Sequence, residues 1–441
     1  MLFMSLSLHR TPAFDQALDL LASGGAFTFI TGRAGTGKST LLNHFRQATS
    51  LLVPVLAPTG VAALNVQGET IHRFFRFFPG ITVEHAKQRA LASHDVDIYK
   101  EADLLLVDEI SMVRADLFDC MDQFLRIVRK TNRPFGGLRV AVIGDLYQLP
   151  PVVTSAERSA FSQMYASPYF FSSHVVEELI ASREFVMIEL DTVYRQADPA
   201  FVALLNSVRN RSLTGEDLRR LNTRVSKEIT KEAITLTAMN DAADTLNVHR
   251  LKEIAAPMKT FSGTFAGAFP PRETPTDASL ALKKGARVMC VANDKEGRFV
   301  NGSLGRIQGF KALKKEGEKR AKDYVVEVRL DSGSLVKILP HTWTIYRSSY
   351  DRSKNSLNQE KMGSFTQLPL RLAWAVTIHK SQGKTFDAVA IDLGRGAFAS
   401  GQTYVALSRC RSFEGLSLAK PLTLHDVRLE RAIEDFFESI R

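Results

Sequence analysis

Ten residues, Thr31 to Thr40, read TGRAGTGKST, and they restrict the fold more than any other stretch. Gly32, Gly37, Lys38 and Ser39 complete G-x-x-x-x-G-K-[ST] between the apolar run AFTFITG and a helical segment. Such a loop works where a buried strand delivers the chain to a helix N-terminus. Backbone N–H groups, the helix dipole and a lysine then converge on phosphate oxygens. Gly32, Gly35, Thr36, Gly37, Lys38, Ser39 and Thr40 form the expected cradle for ATP, with Lys38 on the β and γ groups and Ser39 on Mg²⁺. A chance glycine-rich turn would not carry both flanks.

That unit calls for a parallel sheet, and the chain supplies more strands of the right kind. AFTFITG, LLVPVLAPT, DLLLVDE, RVAVIGD and EFVMIELD are apolar runs that end in Gly, Thr or acidic residues. Buried parallel strands with chemistry at their carboxyl ends read this way. Between them RADLFDCMDQFLRIVRK sets Leu117, Met121, Phe124, Leu125 and Val128 on one helical face. The first third is therefore expected to be a doubly wound α/β domain.

A second set, AITLTA, ARVMCVA, DAVAIDLG and GLSLAKP, points to a second α/β domain, and 441 residues suit two or three domains. Residues 301–365 differ in character. Strand, polar loop, strand, the DSGS turn and strand suggest a small antiparallel β module inserted into the second domain. The Lys-rich run from Lys311 to Lys322, which also holds Glu316 and Glu318, reads as a solvated hairpin loop, with a DNA-backbone contact as the lesser alternative. PGITVEHAKQRALASHDVDIYKEA reads as a small insert in the first domain. The expected boundaries are 1–185 for the first domain, with the insert near 76–100, then 186–300 with 366–441 for the second, and 301–365 for the β module.

A P-loop needs an acid on a neighbouring strand, and LLLVDEI provides Asp108 as the Mg²⁺ partner and Glu109 to polarise the attacking water. Gln148, in GDLYQLPP, has an amide suited to reading a γ-phosphate. Pro150 and Pro151 after it cannot continue a ladder and force a stiff turn. Arg195 in VYRQ and Arg409 in GQTYVALSRCR are candidate arginine fingers.

The balance of 57 Lys+Arg against 47 Asp+Glu gives a net charge of +10, which favours an anionic partner, nucleic acid first. Three cysteines far apart exclude a CxxC zinc site and a disulfide framework and fit a reducing compartment. No apolar run approaches a membrane span, and MLFMSLSLHR does not read as a secretory signal. In APTGVAALNVQGETIHRFFRFF, the small residues Thr59, Gly60 and Ala62 allow close backbone approach and Thr70 and His72 offer neutral donors to phosphates, so Thr59, Gly60, Val61, Thr70, His72 and Phe74 are the expected DNA-binding residues of this stretch. Phe74, Phe75, Phe77 and Phe78 read first as core, and any exposed ring could stack on a base. RLAWAVTIHKSQGKTFD ends an apolar run in His379 and Lys380, a second phosphate-binding edge. His379 lacks any partner at metal-ligand spacing.

TGRAGTGKST, APTGVAA, VDEISM, GDLYQLPP, VYRQ, TIHKSQGKTFD and GQTYVALSRCR occur in this order. The chain thereby resembles a DNA helicase of superfamily one, in the Pif (petite integration frequency) family close to the RecD-like helicases. The resemblance runs from about Phe14 to Leu418, and DEISMVRADLFDCMDQFLR resembles the stretch that sets this family apart. It implies two RecA-like motor domains clasping ATP, single-stranded DNA across both, and 5′ to 3′ movement. It also implies that the β module is SH3-like and that the insert is a wedge near the fork. Lys38, Ser39, Asp108, Glu109, Gln148, Arg195 and Arg409 carry over to ATP and Mg²⁺, and Gln16 to the adenine edge. Thr59, His72, Pro150, Pro151, His379 and Lys380 carry over to the DNA track.

The implied task is unwinding of tailed, forked or structured DNA in replication, repair, recombination or telomere-type maintenance. A chain that is monomeric when free and resides in a bacterial or phage-type cytoplasm, or in a nucleus or mitochondrion if eukaryotic, is the matching expectation. The alternatives are a translocase that strips proteins from a strand and an ATP switch that merely senses DNA.

Overall fold

The computed structural model describes residues 10–226, 233–294, 296–313, 323–351 and 356–440, which fall into two units. The first comprises residues 1–195, 346–360 and 430–441. Its sheet has six strands, β1 (Phe27–Gly32), β2 (Val55–Ala57), β3 (Glu69–Thr70), β4 (Leu104–Val107), β5 (Arg139–Ile143) and β6 (Phe185–Leu190), in the order β3-β2-β4-β5-β1-β6. Every pairing is parallel. β1 is buried along its whole length. Its Ile30 faces α1 (Pro12–Ser23) and α2 (Lys38–Ala48), in one core with Phe14, Ala17, Leu41, Leu42 and Phe45. Phe27 and Phe29 point the other way, toward Phe118, Phe170 and Phe185. Each such side chain contributes roughly 1.5–3 kcal/mol on burial, which fixes the strand that delivers the P-loop.

Two segments expected in the second domain lie in this unit. β6 pairs with β1 residue for residue, from Phe27↔Phe185 to Gly32↔Leu190, so the boundary falls after Arg195 rather than at residue 185. The helix Arg431–Ser439 also belongs here. Phe436 stacks on Phe171 at 4.3 Å and meets Phe185 edge-on at 5.9 Å.

The insert is helical, with Val83–Leu91 and Asp97–Glu101. The helix Ala115–Arg129 holds it. Leu117, Met121, Phe124, Leu125 and Val128 are buried, and Arg129 donates to the carbonyls of Tyr99 and Lys100, both at 2.7 Å. Asp119 accepts from the N–H groups of His174 and Val175, and Asp122 from that of Phe135. A long amphipathic helix thus carries buried acids that cap neighbouring segments.

The second unit comprises residues 196–345 and 361–429. A four-stranded parallel sheet runs in the order Ala375–Thr377, Ile234–Thr237, Val389–Asp392, Leu416–Leu418. ARVMCVA, expected in that sheet, pairs antiparallel with Leu304–Leu313 and with Leu370–Leu372 in a five-stranded antiparallel sheet. A short apolar run cannot distinguish the two kinds of sheet. The β region accordingly includes strands on both sides of 301–365. Its core holds Val288, Ile307, Val326, Val328, Val336 and Ile338. The DSGS turn joins Asp323–Leu330 to Leu335–Ile338, with Gly333 at φ +88°. Lys311 pairs with Glu327, and the rest of the Lys-rich run, from residue 314 to 322, lies outside the described residues. Among the described residues no helix is long and apolar enough to cross a membrane.

Candidate nucleotide and nucleic-acid sites

β1 ends at Gly32, and the loop that follows turns on glycines at positive φ. Gly37, at φ +87°, is the N-cap of α2, and a Cβ on it would meet the Tyr194 ring at 3.6 Å. Gly35, at φ +85°, lies so close to Arg195 that an added Cβ would stand 2.5 Å from the Arg195 Cβ. Lys38 Nζ donates to the carbonyls of Gly32 at 2.5 Å and Arg33 at 2.9 Å, so the ammonium sits over the loop. Ser39 and Thr40 are exposed on the first turn of α2. Thr36 is buried and its hydroxyl donates to the Arg33 carbonyl at 3.0 Å, which makes its side chain a brace for the loop.

The acids stand at the carboxyl ends of β4 and β5. Burial pushes the Asp108 carboxyl up to about 6, against the N–H of Glu109 and the charge of Lys38. Glu109 adopts φ 52° and ψ 44°, a left-handed conformation that costs a non-glycine residue of order 1–3 kcal/mol and clusters at functional sites. At the end of β5, Asp145 is buried and accepts from the Gln148 amide at 3.2 Å and the Tyr147 N–H at 3.2 Å. Gln148 is therefore buried and oriented by Asp145. Asp145 escaped the sequence reading, although its place after an apolar strand in GDLYQLPP is the same signal that marked Asp108.

Arg195 was expected to reach the nucleotide from the second domain. It lies instead in the first unit, beside Gly35, because β6 runs alongside β1 and carries the chain back over the loop. Tyr194 anchors the segment through its N–H to the Gly35 carbonyl at 2.8 Å, and its ring is half exposed. VYRQ held that tyrosine in view, and only the fold shows what it touches. Arg409 belongs to the second unit and is fully buried. Its guanidinium donates to Val405 O, Lys384 O and Ser408 Oγ. Gln16 lies on the exposed face of α1.

Thr59 and Thr70 act first as helix caps. Their hydroxyl oxygens accept from Ala62 N–H at 3.2 Å and Arg73 N–H at 3.3 Å. Gly60 and the exposed Val61 form the first turn after Thr59. His72 is half-buried, and desolvation lowers its pKa against the pull of Asp116, which favours a neutral ring. Phe74 is core rather than a stacking platform. It meets Phe75 and Tyr99 edge-on at 5.0 and 5.1 Å, in a cluster that Phe124 closes. Phe78 is the exposed ring of that run. After Pro150 and Pro151 the chain is held by Arg114, which pairs with both oxygens of Asp116 and with Glu157 and lies 5.1 Å over the Phe161 ring.

In the second unit His379 and Lys380 form a turn directly after the strand Ala375–Thr377. The Lys380 N–H donates to Thr377 Oγ1 at 3.3 Å. Burial lowers the pKa of both side chains. Lys384, four residues on, donates to Asn301 Oδ1 and lies within the electrostatic reach of Arg371 and Cys290.

Comparison with known proteins agrees with this arrangement. The family described as PIF1-like helicase matches residues 5–218. Human "ATP-dependent DNA helicase PIF1" is 35% identical over 430 residues, which cover 95% of this chain and 62% of the relative. The chain thus spans less than two thirds of that relative's length. Pif1 from Bacteroides sp. in complex with ADP-AlF4 is 33% identical with a TM-score of 0.84, covering 97% of this chain and 96% of the other. Bacteroides Pif1 bound to ssDNA is 34% identical with a TM-score of 0.67, covering 98% and 96%. With a solved relative above 30% identity matched over nearly its whole length, two parallel sheets in RecA-like α/β units and a complete P-loop, the chain belongs to the PIF1-like helicase family.

Proposed function

We propose that the chain is an ATP-driven DNA helicase that moves 5′ to 3′ along a single strand and opens tailed, forked or structured duplexes. One observation carries this reading: Lys38, Asp108, Glu109 and the Asp145–Gln148 pair gather at the carboxyl ends of β1, β4 and β5. Phosphoryl transfer to water needs these parts, a cationic cradle, a carboxylate near the attacking water and a group that senses the γ-phosphate. Lys38 withdraws charge from the phosphates, Glu109 accepts the proton of the attacking water, and Gln148, aimed by Asp145, orients toward the γ-phosphate. Arg195 and Arg409 are assigned to the charge that develops in the transition state.

Mg²⁺ suits the donor set. Ser39 supplies a hydroxyl and Asp108 a carboxylate, hard oxygens of the kind Mg²⁺ takes while keeping phosphates and waters. An acid pushed up to about 6 by burial and relieved by a nearby positive charge gains from a cation. When bound, Mg²⁺ neutralises phosphate charge. The strand is assigned to Thr59, Gly60, Val61, Thr70, His72, Pro150 and Pro151 in the first unit and to His379 and Lys380 in the second. Buried thiols at Cys120, Cys290 and Cys410 support residence in a reducing compartment.

Hydrolysis measured with and without single-stranded DNA tests the proposal. Stimulation by the strand is expected. Glu109→Gln should lower kcat by about 10²–10⁴ with ATP binding kept. Turnover indifferent to DNA would favour the sensing switch, and full activity in Glu109→Gln would remove the base.

A further inference from the structure

Gln196 follows Arg195 in sequence, belongs to the second unit and is buried. Its amide Nε2 donates to the carbonyl oxygens of Ser408 at 3.1 Å and Cys410 at 3.0 Å, the residues on either side of Arg409. The helix Gln402–Leu407 ends at Ser408, so these carbonyls belong to a chain leaving a helix, where intrahelical donors run out. An amide nitrogen has two N–H donors, and here each acceptor takes one. The same turn carries the Arg409 guanidinium, held by Val405 O at 2.9 Å, Lys384 O at 3.3 Å and Ser408 Oγ at 2.8 Å. Ser408 therefore accepts twice, through its carbonyl from Gln196 and through its hydroxyl from Arg409. Two of the three acceptors of that guanidinium, Val405 O and Ser408 Oγ, belong to this same turn, and Gln196 holds its backbone on both sides of Arg409.

We propose that Gln196 is a positioning residue that sets the direction of Arg409. The inference rests on the assignment of Arg409 to the transition-state charge and deepens it. Gln196→Met keeps the shape of the side chain and removes both donors, leaving two buried carbonyls without them. Misplacement of a charged group by about 1 Å costs on the order of a hundredfold in rate. The kcat of DNA-stimulated hydrolysis should fall by that order, while the KM for ATP and the affinity for single-stranded DNA stay near those of the parent. ADP with aluminium fluoride, a transition-state mimic, should lose its advantage over ADP alone. Adding Gln196→Met to Arg409→Ala should lower kcat little below that of Arg409→Ala alone, because residues that act through one another are not additive.

Losses that multiply, or that fall on KM alone, would overturn the proposal. Should Gln196→Met fail to fold, Gln196→Asn keeps the donors but withdraws them by one methylene. An intermediate kcat is expected there, and an unchanged kcat would also overturn the proposal. Undiminished turnover in Arg409→Ala would overturn the underlying assignment together with this inference. An impaired Arg409→Ala beside an unimpaired Gln196→Met would overturn the inference alone.

Discussion

At the scale of single residues, the polar groups that matter are those whose surroundings oppose their ordinary state. Glu109 keeps a left-handed backbone, and Asp108 keeps a carboxyl raised by burial. Lys384 shows the same opposition in a cation. Burial first, and the charge of Arg371 second, lower its pKa from 10.5 to about 8, with Cys290 acting the other way. The unfolded chain holds that proton to higher pH, so between about 8 and 10.5 it binds more protons than the folded chain, and stability rises with pH across that window. Below the window the buried charge weighs fully against folding. Lys384→Met should flatten this rise relative to the parent, as read from denaturant midpoints between pH 7 and 10.5. Parallel curves for the two proteins would show that the amine is not held as described.

At the scale of elements, the helix Ala115–Arg129 is the hub of the first unit. Phe124 is fully buried and meets the rings of Phe75, Phe77 and Tyr99, so it ties the insert to this helix. Phe124→Ala should destabilise the protein by about 3–5 kcal/mol, seen as a lower denaturant midpoint. A loss under 1 kcal/mol would mean that the cluster re-forms without it. The apolar face of this helix was legible in the sequence, as were the P-loop, the strands that flank it and the acids at their ends, because periodicity and strand-end chemistry are local signals. Three features were not. β6 could be read as a strand but not as the partner of β1, which is why Arg195 was assigned to the wrong unit. ARVMCVA offered six apolar residues and no sign of which sheet would take them. Gln196 looked like one polar residue beside an arginine, since its acceptors lie more than 200 residues away. Pairing across such separations is set by packing, which no local pattern contains. The caps at Thr59 and Thr70 mark a different gap. A hydroxyl that reads as a phosphate donor can serve first as the N-cap that shapes its own loop.

At the scale of the molecule, two α/β units each present polar residues at the carboxyl ends of parallel strands, the place where open α/β sheets bind ligands. The first unit holds a complete P-loop with its acids, and the second holds His379, Lys380 and the buried Arg409 turn. A net charge of +10 suits a polyanionic track. As proposed above, ATP hydrolysis drives this chain in one direction along DNA. This proposal is tested most directly by ATP-dependent strand separation on two partial duplexes that differ only in having a 5′ or a 3′ single-stranded tail. Unwinding of the 5′-tailed substrate alone is predicted. Preference for the 3′ tail would contradict the assigned polarity, and hydrolysis stimulated by DNA without separation of either duplex would contradict the helicase assignment itself.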